Sequence, residues 1–456
     1  MAHIIKASKP LATQPIKSGQ PLGAILGALG LDRCIPLIHG AQGCSAFAKI
    51  FFIQHFHEPV PIQSTAMDPI TTVMGSDDNI IQALTTLCER SNPRLIVLMS
   101  SGLSEAQGAD MSRALKEFRR QQPKFERVEV VTVSTPDFYG SMENGHAALI
   151  ESLIVQLVPQ QALRSVRKKR VNLLLSHMLT PGDVEMLRTT IEAFGLQPIL
   201  VPDLSRSMDG HLVRQDYLSV SQGGSEVTQI KQLGQSALTL VIGPSLTRAG
   251  QLLEQRTGVE SRAFPHLMTL EQMDKFVDTL RLLADRNVPE WLERQRGQLQ
   301  DAMIDTHTWV NDRKLAIGAE ADLLCAWLDF ARSVGLQPIS VVAPVNQPQL
   351  GNLPVEQVVI GDMEDLIQGC HGEADLMLAN SHGALLAEQM GVPLVRIGFP
   401  IFDRFGEFRR VRQGYVGMRD TLFEVANAMQ QAHHQLPAYH SPLKQPTPVR
   451  VVKEVA

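Results

Sequence analysis

The pattern of apolar and polar residues predicts a strand–helix–strand unit near the start of the chain. Residues 94–99 (RLIVLM) form a continuous apolar run with the β-branched bias of a buried parallel strand. A small-residue turn, Ser100-Ser101-Gly102, follows, and then an amphipathic stretch around 111–120. A second apolar run, VEVVTV, occupies 128–133. This order is typical of a βαβ unit.

The same order returns twice, after the apolar runs at 171–175 and 314–318. In both repeats the helix is followed by the pentapeptide GLQPI, at 195–199 and 335–339. The glycine is expected to end the helix in the left-handed conformation, and the proline to restrict the start of the next strand. The matching flanks favour a repeated architecture.

Strands and helices continue to alternate through 238–258 and 375–398. Over a chain of 456 residues, this alternation predicts an α/β protein of three Rossmann-like, doubly wound domains with parallel sheets. We expect the first domain at 1–165, the second at 166–300 and the third at 301–435, followed by a C-terminal tail at 436–456.

Ligands of such sheets bind beyond the carboxyl ends of the strands, so the loops at 100–108, 243–249 and 380–384 are the expected functional edges. Nucleotide binding has little support, because the dinucleotide fingerprint, the Walker A sequence and the GxSxG elbow are absent. Glycines 23, 27 and 30 are instead spaced to lie on one helix face and permit close packing.

Composition narrows the class of protein further. The chain has 42 Lys and Arg against 47 Asp and Glu, a net charge of −5, which argues against nucleic acid as a principal partner. The N-terminal residues lack the apolar core of a signal peptide, and no apolar stretch reaches the length of a membrane span. We therefore expect a cytoplasmic protein.

The five cysteines form no CxxC pair. Their odd number and wide spacing predict neither a disulfide framework nor a self-contained zinc or iron–sulfur site. Cys44 is the candidate metal ligand, because it precedes an apolar helix whose N-terminal potential favours a thiolate; burial as a small apolar residue is the alternative. Cys34, Cys88 and Cys325 are assigned to packing.

Histidines offer weaker candidates for metal binding. His55 and His57, with Glu58 beside them, would share one face of an extended segment, although local hydrogen bonding is the more common role of such groups. Cys370 with His371, in a predicted loop, is a further minor candidate. We expect His382 to cap a helix or bond the backbone.

Several segments resemble the β-type subunits of the nitrogenase molybdenum–iron protein family. They are SGQPLGAILGALG, IPLIHGAQGCSAFAKIFFIQHFHEPVP, MSSGLSEAQGADM, STPDFYGS and, at 396–420, RIGFPIFDRFGEFRRVRQGYVGMRD. The resemblance runs in order from about residue 17 to 425. It implies the fold of nitrogenase component 1, with three Rossmann-like domains.

The resemblance also shows where this chain departs from catalytic β subunits. Those subunits use three cysteines to help hold an eight-iron cluster, and only Cys44 matches one of them, since Gly19 and Gly102 stand at the other two positions. The pattern is similar to the β-like subunits of the NifEN scaffold, on which the iron–molybdenum cofactor is matured. That similarity implies an assembly subunit with no stand-alone catalytic site.

By the same resemblance, this chain pairs with NifE in an α2β2-type heterotetramer. Cys44 supplies one thiolate of a [4Fe–4S] cluster at the subunit interface, and NifE supplies three. The cofactor precursor is held mainly by NifE. The nitrogenase iron protein and the donor of the precursor cluster are the other expected partners.

Two other functions are the alternatives. One is the β subunit of an active reductase, either nitrogenase-like or a dark-operative tetrapyrrole reductase. The glycines at 19 and 102 argue against nitrogenase itself, because two of its cluster-binding cysteines are missing. The other is a nucleotide-sugar-binding α/β transferase, which would bind a nucleotide as a monomer and contain no iron.

Overall fold

The computed structural model describes residues 2–7, 9, 12, 14–160, 167–212 and 219–433. Within these ranges, the strands form three sheets, and every strand pair in them is parallel. Helices connect successive strands, so the α/β class with three Rossmann-like units is confirmed. None of the described helices combines the length and the apolar character needed to cross a membrane.

The chain starts with a short strand, β1 (His3–Lys6), and then builds the first sheet, whose strand order is β3-β2-β4-β5. Its strands are β2 (Cys34–His39), β3 (Gln63–Ser64), β4 (Leu95–Ser100) and β5 (Glu129–Val133). Its helices are α1 (Gln20–Leu29), α2 (Gln42–Phe56), α3 (Pro69–Met74), α4 (Asp77–Ser91), α5 (Gly102–Gln107), α6 (Met111–Gln121) and α7 (Met142–Leu157).

The second sheet repeats this arrangement in the order β7-β6-β8-β9. Its strands are β6 (Arg167–Leu175), β7 (Gln197–Val201), β8 (Ser236–Ile242) and β9 (Ser261–Phe264). The accompanying helices are α8 (Pro181–Ala193), α9 (Val227–Lys231), α10 (Thr247–Thr257) and α11 (Leu270–Ala284).

The third sheet has six strands in the order β1-β12-β11-β10-β13-β14. Its own strands are β10 (Lys314–Gly318), β11 (Gln337–Ala343), β12 (Gln357–Ile360), β13 (Leu376–Ala379) and β14 (Leu394–Arg396). The helices are α12 (Glu290–Val310), α13 (Ala321–Val334), α14 (Met363–Cys370), α15 (Ala384–Met390) and α16 (Gly414–His433). Since β1 pairs with β12, the first residues of the chain belong structurally to the last sheet. The predicted tail at 436–456 lies outside the described residues.

Both GLQPI segments adopt the predicted conformation. Gly195 has a φ of +74° and Gly335 a φ of +86°, the left-handed region in which glycine avoids a side-chain clash. Each segment then enters a strand at its glutamine, Gln197 in β7 and Gln337 in β11. The repeated sequence therefore encodes the same helix end in the second and third units.

Glycines bring α1 and α7 into close contact. A Cβ atom on Gly23 would lie 1.8 Å from the carbonyl oxygen of Met142, and one on Gly27 would lie 2.8 Å from Leu149 Cδ2. A Cβ atom on Gly30, just after α1, would meet Pro202 at 2.6 Å. The prediction that these three glycines permit close packing is confirmed.

Candidate metal centre

Cys44 lies at the surface, in the first turn of α2. The chain reaches it from β2, which ends at His39, through a tight connection of Gly40 and Ala41. The other four cysteines lie elsewhere: Cys34, Cys88 and Cys370 are buried, and Cys325 is partly buried against the core. Cys44 is therefore the exposed thiol among the five cysteines, the location that a ligand to a shared metal requires.

The connection before Cys44 is held in place by buried hydrogen bonds. The His39 ring is fully buried, with Nδ1 2.8 Å from Thr65 Oγ1 and Nε2 3.0 Å from Ser76 Oγ. Burial lowers the pKa of His39 to about 4, so the ring is neutral at physiological pH. Ser101 Oγ donates to the carbonyl oxygen of His39 at 2.8 Å, which joins the ends of β2 and β4.

Asp137 lies between Gly19 and Gly102, the two positions that the family resemblance matches to cysteines of catalytic β subunits. A Cβ atom on Gly19 would lie 2.8 Å from Asp137 Oδ1, and one on Gly102 would lie 3.5 Å from Asp137 Cβ. The Gly102 N–H donates to Asp137 Oδ2 at 3.4 Å. The structure thus brings positions 19 and 102 together beside Cys44, where it places a carboxylate rather than two further thiols.

The pKa of the Cys44 thiol lies above its ordinary value. Partial burial is the main cause, and the negative charge of Asp137 adds to it, while backbone N–H groups at the start of α2 offset part of the increase. The expected location of Cys44 at a helix N-terminus is confirmed. The helix start favours the thiolate, but partial burial and the charge of Asp137 oppose it more strongly in the isolated chain.

Replacement of Asp137 by asparagine is expected to make Cys44 more reactive. Asp137→Asn removes a negative charge that raises the pKa of the thiol, so more thiolate exists at pH 7.5 and alkylation by iodoacetamide should speed up by about two- to fivefold. The measurement is the alkylation rate against pH, followed at Cys44 by mass spectrometry. The exposed acid Glu388, on α15, supplies the control Glu388→Gln, and identical profiles for the two variants would refute the role of Asp137.

Apolar side chains are exposed around Cys44. On α2, Phe47, Ile50 and Ile53 are exposed. At 3.6 residues per turn Phe47 lies nearest to Cys44, and Ile50 and Ile53 continue the exposed surface around the helix. Others are on α3 and in the segment after Asp137: Ile70, Val73, Met74, Phe138 and Tyr139. Gln107 of α5 bonds the carbonyl groups of α3, so α3 lies beside the helix that begins at Gly102. Exposed apolar surface of this extent is typical of a protein–protein interface.

The histidine pair does not form the predicted metal geometry. His55 is in the last turn of α2, whereas His57 ends that helix in the left-handed conformation, so the segment is not extended. His55 Nδ1 accepts a hydrogen bond from the Ile401 N–H at 3.0 Å, and burial lowers the pKa of His55 to about 4. His57 is exposed and packs against Phe405. Partial burial raises the pKa of Glu58.

The remaining minor candidates have local structural roles. Cys370 ends α14 rather than standing in a loop, and its Sγ donates to the carbonyl oxygen of Leu366 at 3.0 Å. His371 follows as the left-handed helix end. In the 380–384 loop, the cap is formed by the side chain of Asn380, which accepts from the His382 N–H, and the His382 ring packs against Phe402.

Sequence reasoning missed two parts of this site, Asp137 and the exposed apolar face. Asp137 stands in STPDFYGS, which carried the family resemblance but no chemical assignment. The unbroken apolar run IFFI at 50–53 in α2 was a usable signal. A surface helix that is apolar on several sides usually packs against more than one neighbour.

Comparison with known proteins defines the class. The family model described as nitrogenase component 1 type oxidoreductase matches residues 19–430. The solved structure of nitrogenase Cp1 at pH 6.5 superposes with a TM-score of 0.88 at 27% identity, covering 95% of this chain and 96% of that one. The chain belongs to the nitrogenase component 1 type family, as its motifs predicted.

Its curated relatives specify the branch of that family. The nitrogenase iron-molybdenum cofactor biosynthesis protein NifN of Klebsiella pneumoniae is 60% identical over 98% of this chain and 97% of its own length. The NifN protein of Nostoc sp. is 41% identical over 94% of this chain and 95% of its own length. The sequence therefore groups with the NifN proteins.

Proposed function

We propose that this chain is a scaffold subunit for maturation of the nitrogenase iron–molybdenum cofactor, and that it holds one corner of a [4Fe–4S] cluster shared with NifE. The observation that carries the proposal is the position of Cys44, an exposed thiol on an apolar surface. Gly19 and Gly102 stand nearby, at the two positions where catalytic β subunits have further cysteines by the family resemblance. The relatives named as cofactor biosynthesis proteins support the same role.

The donor atoms at this surface fit a share of a cluster. A [4Fe–4S] cluster takes four thiolates as a rule, and Cys44 provides one. Gly43 leaves open space beside it, since no atom lies within 4 Å of the position its Cβ would take. We therefore infer that the other three thiolates come from another chain and that the cluster lies at an interface between subunits.

The residues around Cys44 have distinct tasks in this proposal. Cys44 binds one iron through its sulfur, the buried His39 network fixes the preceding turn, and the backbone amides of 40–43 tune the cluster potential. When bound, the cluster supplies one-electron redox chemistry. The chain itself contributes binding and orientation, and we infer no catalytic residue.

The proposed partners follow from this arrangement. NifE covers the apolar face around Cys44, and two such pairs form the α2β2-type heterotetramer. The cofactor precursor is held mainly by NifE, and the nitrogenase iron protein and the precursor donor dock transiently. The apolar face on α2 and α3 supports the stable contact, because obligate interfaces are more apolar than transient ones.

Removal of the Cys44 thiol is expected to eliminate the shared cluster. When the chain is co-expressed with NifE under anaerobic conditions, Cys44→Ala should lower the iron content of the complex by about four atoms per pair and abolish the paramagnetic signal of the reduced cluster. Iron analysis and electron paramagnetic resonance (EPR) measure both effects.

Cys88→Ala is the matched control, because Cys88 is buried in α4 and faces the core of the first sheet. It should retain both the iron and the signal. If Cys44→Ala kept them as well, the cluster would have other ligands and the proposal would fail. Tight binding of a nucleotide sugar by the iron-free chain would instead support a transferase.

A further inference from the structure

A second polar cluster lies buried where elements of the three sheets meet. Glu143 is in the first turn of α7, His177 follows β6, and Glu320 lies between β10 and α13. One ligand atom from each of these side chains lies within 4.8 Å of the other two. Three distant parts of the sequence thus supply one compact set of metal-capable groups.

Two of these groups retain an unused ligand atom. Among the described residues, neither Glu320 Oε1 nor His177 Nε2 has a hydrogen-bond partner, although both atoms are buried. Only 9% of the Glu320 surface is exposed. The other oxygen of Glu320, Oε2, accepts a hydrogen bond from Ser141 Oγ. One oxygen of this carboxyl group is therefore hydrogen-bonded and the other is available to a ligand.

The Glu143 carboxyl group is oriented by its neighbours. It accepts hydrogen bonds from the Asp322 N–H at 2.8 Å and from Gln349 Nε2 at 2.6 Å, and 1% of the Glu143 surface is exposed. Each carboxylate oxygen has a second lone pair, so these bonds leave capacity for a metal ion. They also fix the direction in which the oxygens point.

Negative charge at the cluster has no ion-pair partner. Within the described part of the chain, no Lys or Arg forms a salt bridge with Glu143, Glu320 or the adjacent, fully buried Asp322. Asp322 accepts hydrogen bonds from Ser176 and Ser245 instead. Lys17 is near enough to stabilise the charge of Glu320, but it forms no salt bridge with it. Three buried carboxyl groups without an ion pair are costly unless they are protonated or bind a cation.

The surroundings also suit an ion chemically. His177 and Glu320 line a cavity of about 80 Å³, which is room for several water molecules. Burial lowers the pKa of His177 to about 3, so its imidazole is neutral and its nitrogen lone pair is free at physiological pH. Burial also raises the pKa of Glu320 to about 7, which a bound cation would reverse.

We propose that Glu143, His177 and Glu320 bind one divalent first-row transition-metal ion at the junction of the three units. Two carboxylates and an imidazole suit Mn²⁺, Fe²⁺ or Zn²⁺, whereas Mg²⁺ and Ca²⁺ prefer ligands that are all oxygen. Water in the cavity completes the coordination. The ion neutralises the buried charge and ties the start of α7 to the ends of β6 and β10. The proposal rests on neither Cys44 nor the proposed scaffold function.

Manganese provides the test, because its EPR signal reports binding directly. The full chain, stripped of metal with a chelator, is titrated with Mn²⁺, and loss of the six-line signal of free Mn²⁺ counts the bound ions. We expect one tight site. Glu320→Gln, which keeps the shape of the side chain, should weaken binding at least about tenfold.

His177→Gln keeps the test decisive if Glu320→Gln does not fold, because the removed His177 Nε2 makes no hydrogen bond within the described chain. It should weaken Mn²⁺ binding to a similar degree. Cys44→Ala and the surface control Glu373→Gln should bind Mn²⁺ like the wild type, since neither residue lines the cavity. Absence of a site in the folded wild type, or equal affinity in all variants, would overturn the proposal.

Discussion

Gly145→Ala is expected to lower the free energy of unfolding by about 3 kcal/mol, at the upper end of the usual cost of overpacking. Gly145 is in α7, and a Cβ atom there would lie 1.8 Å from the carbonyl oxygen of Gln20, at the start of α1. The obstructing atom is backbone and cannot rotate away, so α1 and α7 must separate. The midpoint of chemical denaturation, followed by circular dichroism, measures the effect.

Gly297→Ala is the matched control for this variant. Gly297 is an exposed glycine within α12, and no atom lies within 4 Å of the position its Cβ would take. Alanine should stabilise that helix by up to about 1 kcal/mol, because it forms helices more readily than glycine. If the two variants unfolded at the same denaturant concentration, close contact between α1 and α7 would not be a source of stability.

The elements that the sequence predicted well are those with a local cause. The apolar run at 94–99 corresponds to β4 (Leu95–Ser100), because a run of apolar residues is enough to indicate a buried strand. Each GLQPI segment forms a helix end and a strand start, because the left-handed conformation of its glycine is a local property. The glycine face of α1 was predictable for the same reason, since helical spacing alone places the three glycines together.

Long-range contacts were not predictable from local pattern. The strand β1 (His3–Lys6) is short, and its partner Gln357–Ile360 lies more than 300 residues away, so no nearby residue signals that the first residues join the third sheet. Pairing over such separations depends on the whole fold. The domain limits assigned from the sequence stay a prediction, although β1, which falls within the predicted first domain, pairs with a strand of the third sheet.

The same limit applies to the sites. Glu143 and Asp322 each read as ordinary acidic residues in the first turn of a helix, and Glu320 as the residue before one. Only the three-dimensional structure brings Glu143 and Glu320 together with His177. The sequence HFHE, in contrast, suggested a metal site that the structure does not form. Helix α2 ends between His55 and His57, so the two side chains have different surroundings.

The apolar face of α2 gives the largest expected effect on assembly. Phe47 is 68% exposed and lies one helical turn after Cys44. In the proposed complex this ring is buried by NifE, so Phe47→Glu would place a charge in a dry interface. We expect pairing with NifE to weaken by at least about 100-fold, equivalent to about 2.8 kcal/mol. Co-purification with tagged NifE and light scattering of the product measure the loss.

The separate chain should remain folded, because an exposed side chain contributes little to its stability. Leu282→Glu is the control: Leu282 is 61% exposed on α11, within the second unit, and its replacement should leave pairing unchanged. Since Cys44 and Phe47 lie on the same face of one helix, the interface and the cluster depend on each other. Normal pairing of Phe47→Glu would show that NifE does not cover this face, and Cys44 could then not be a corner of a cluster shared with it.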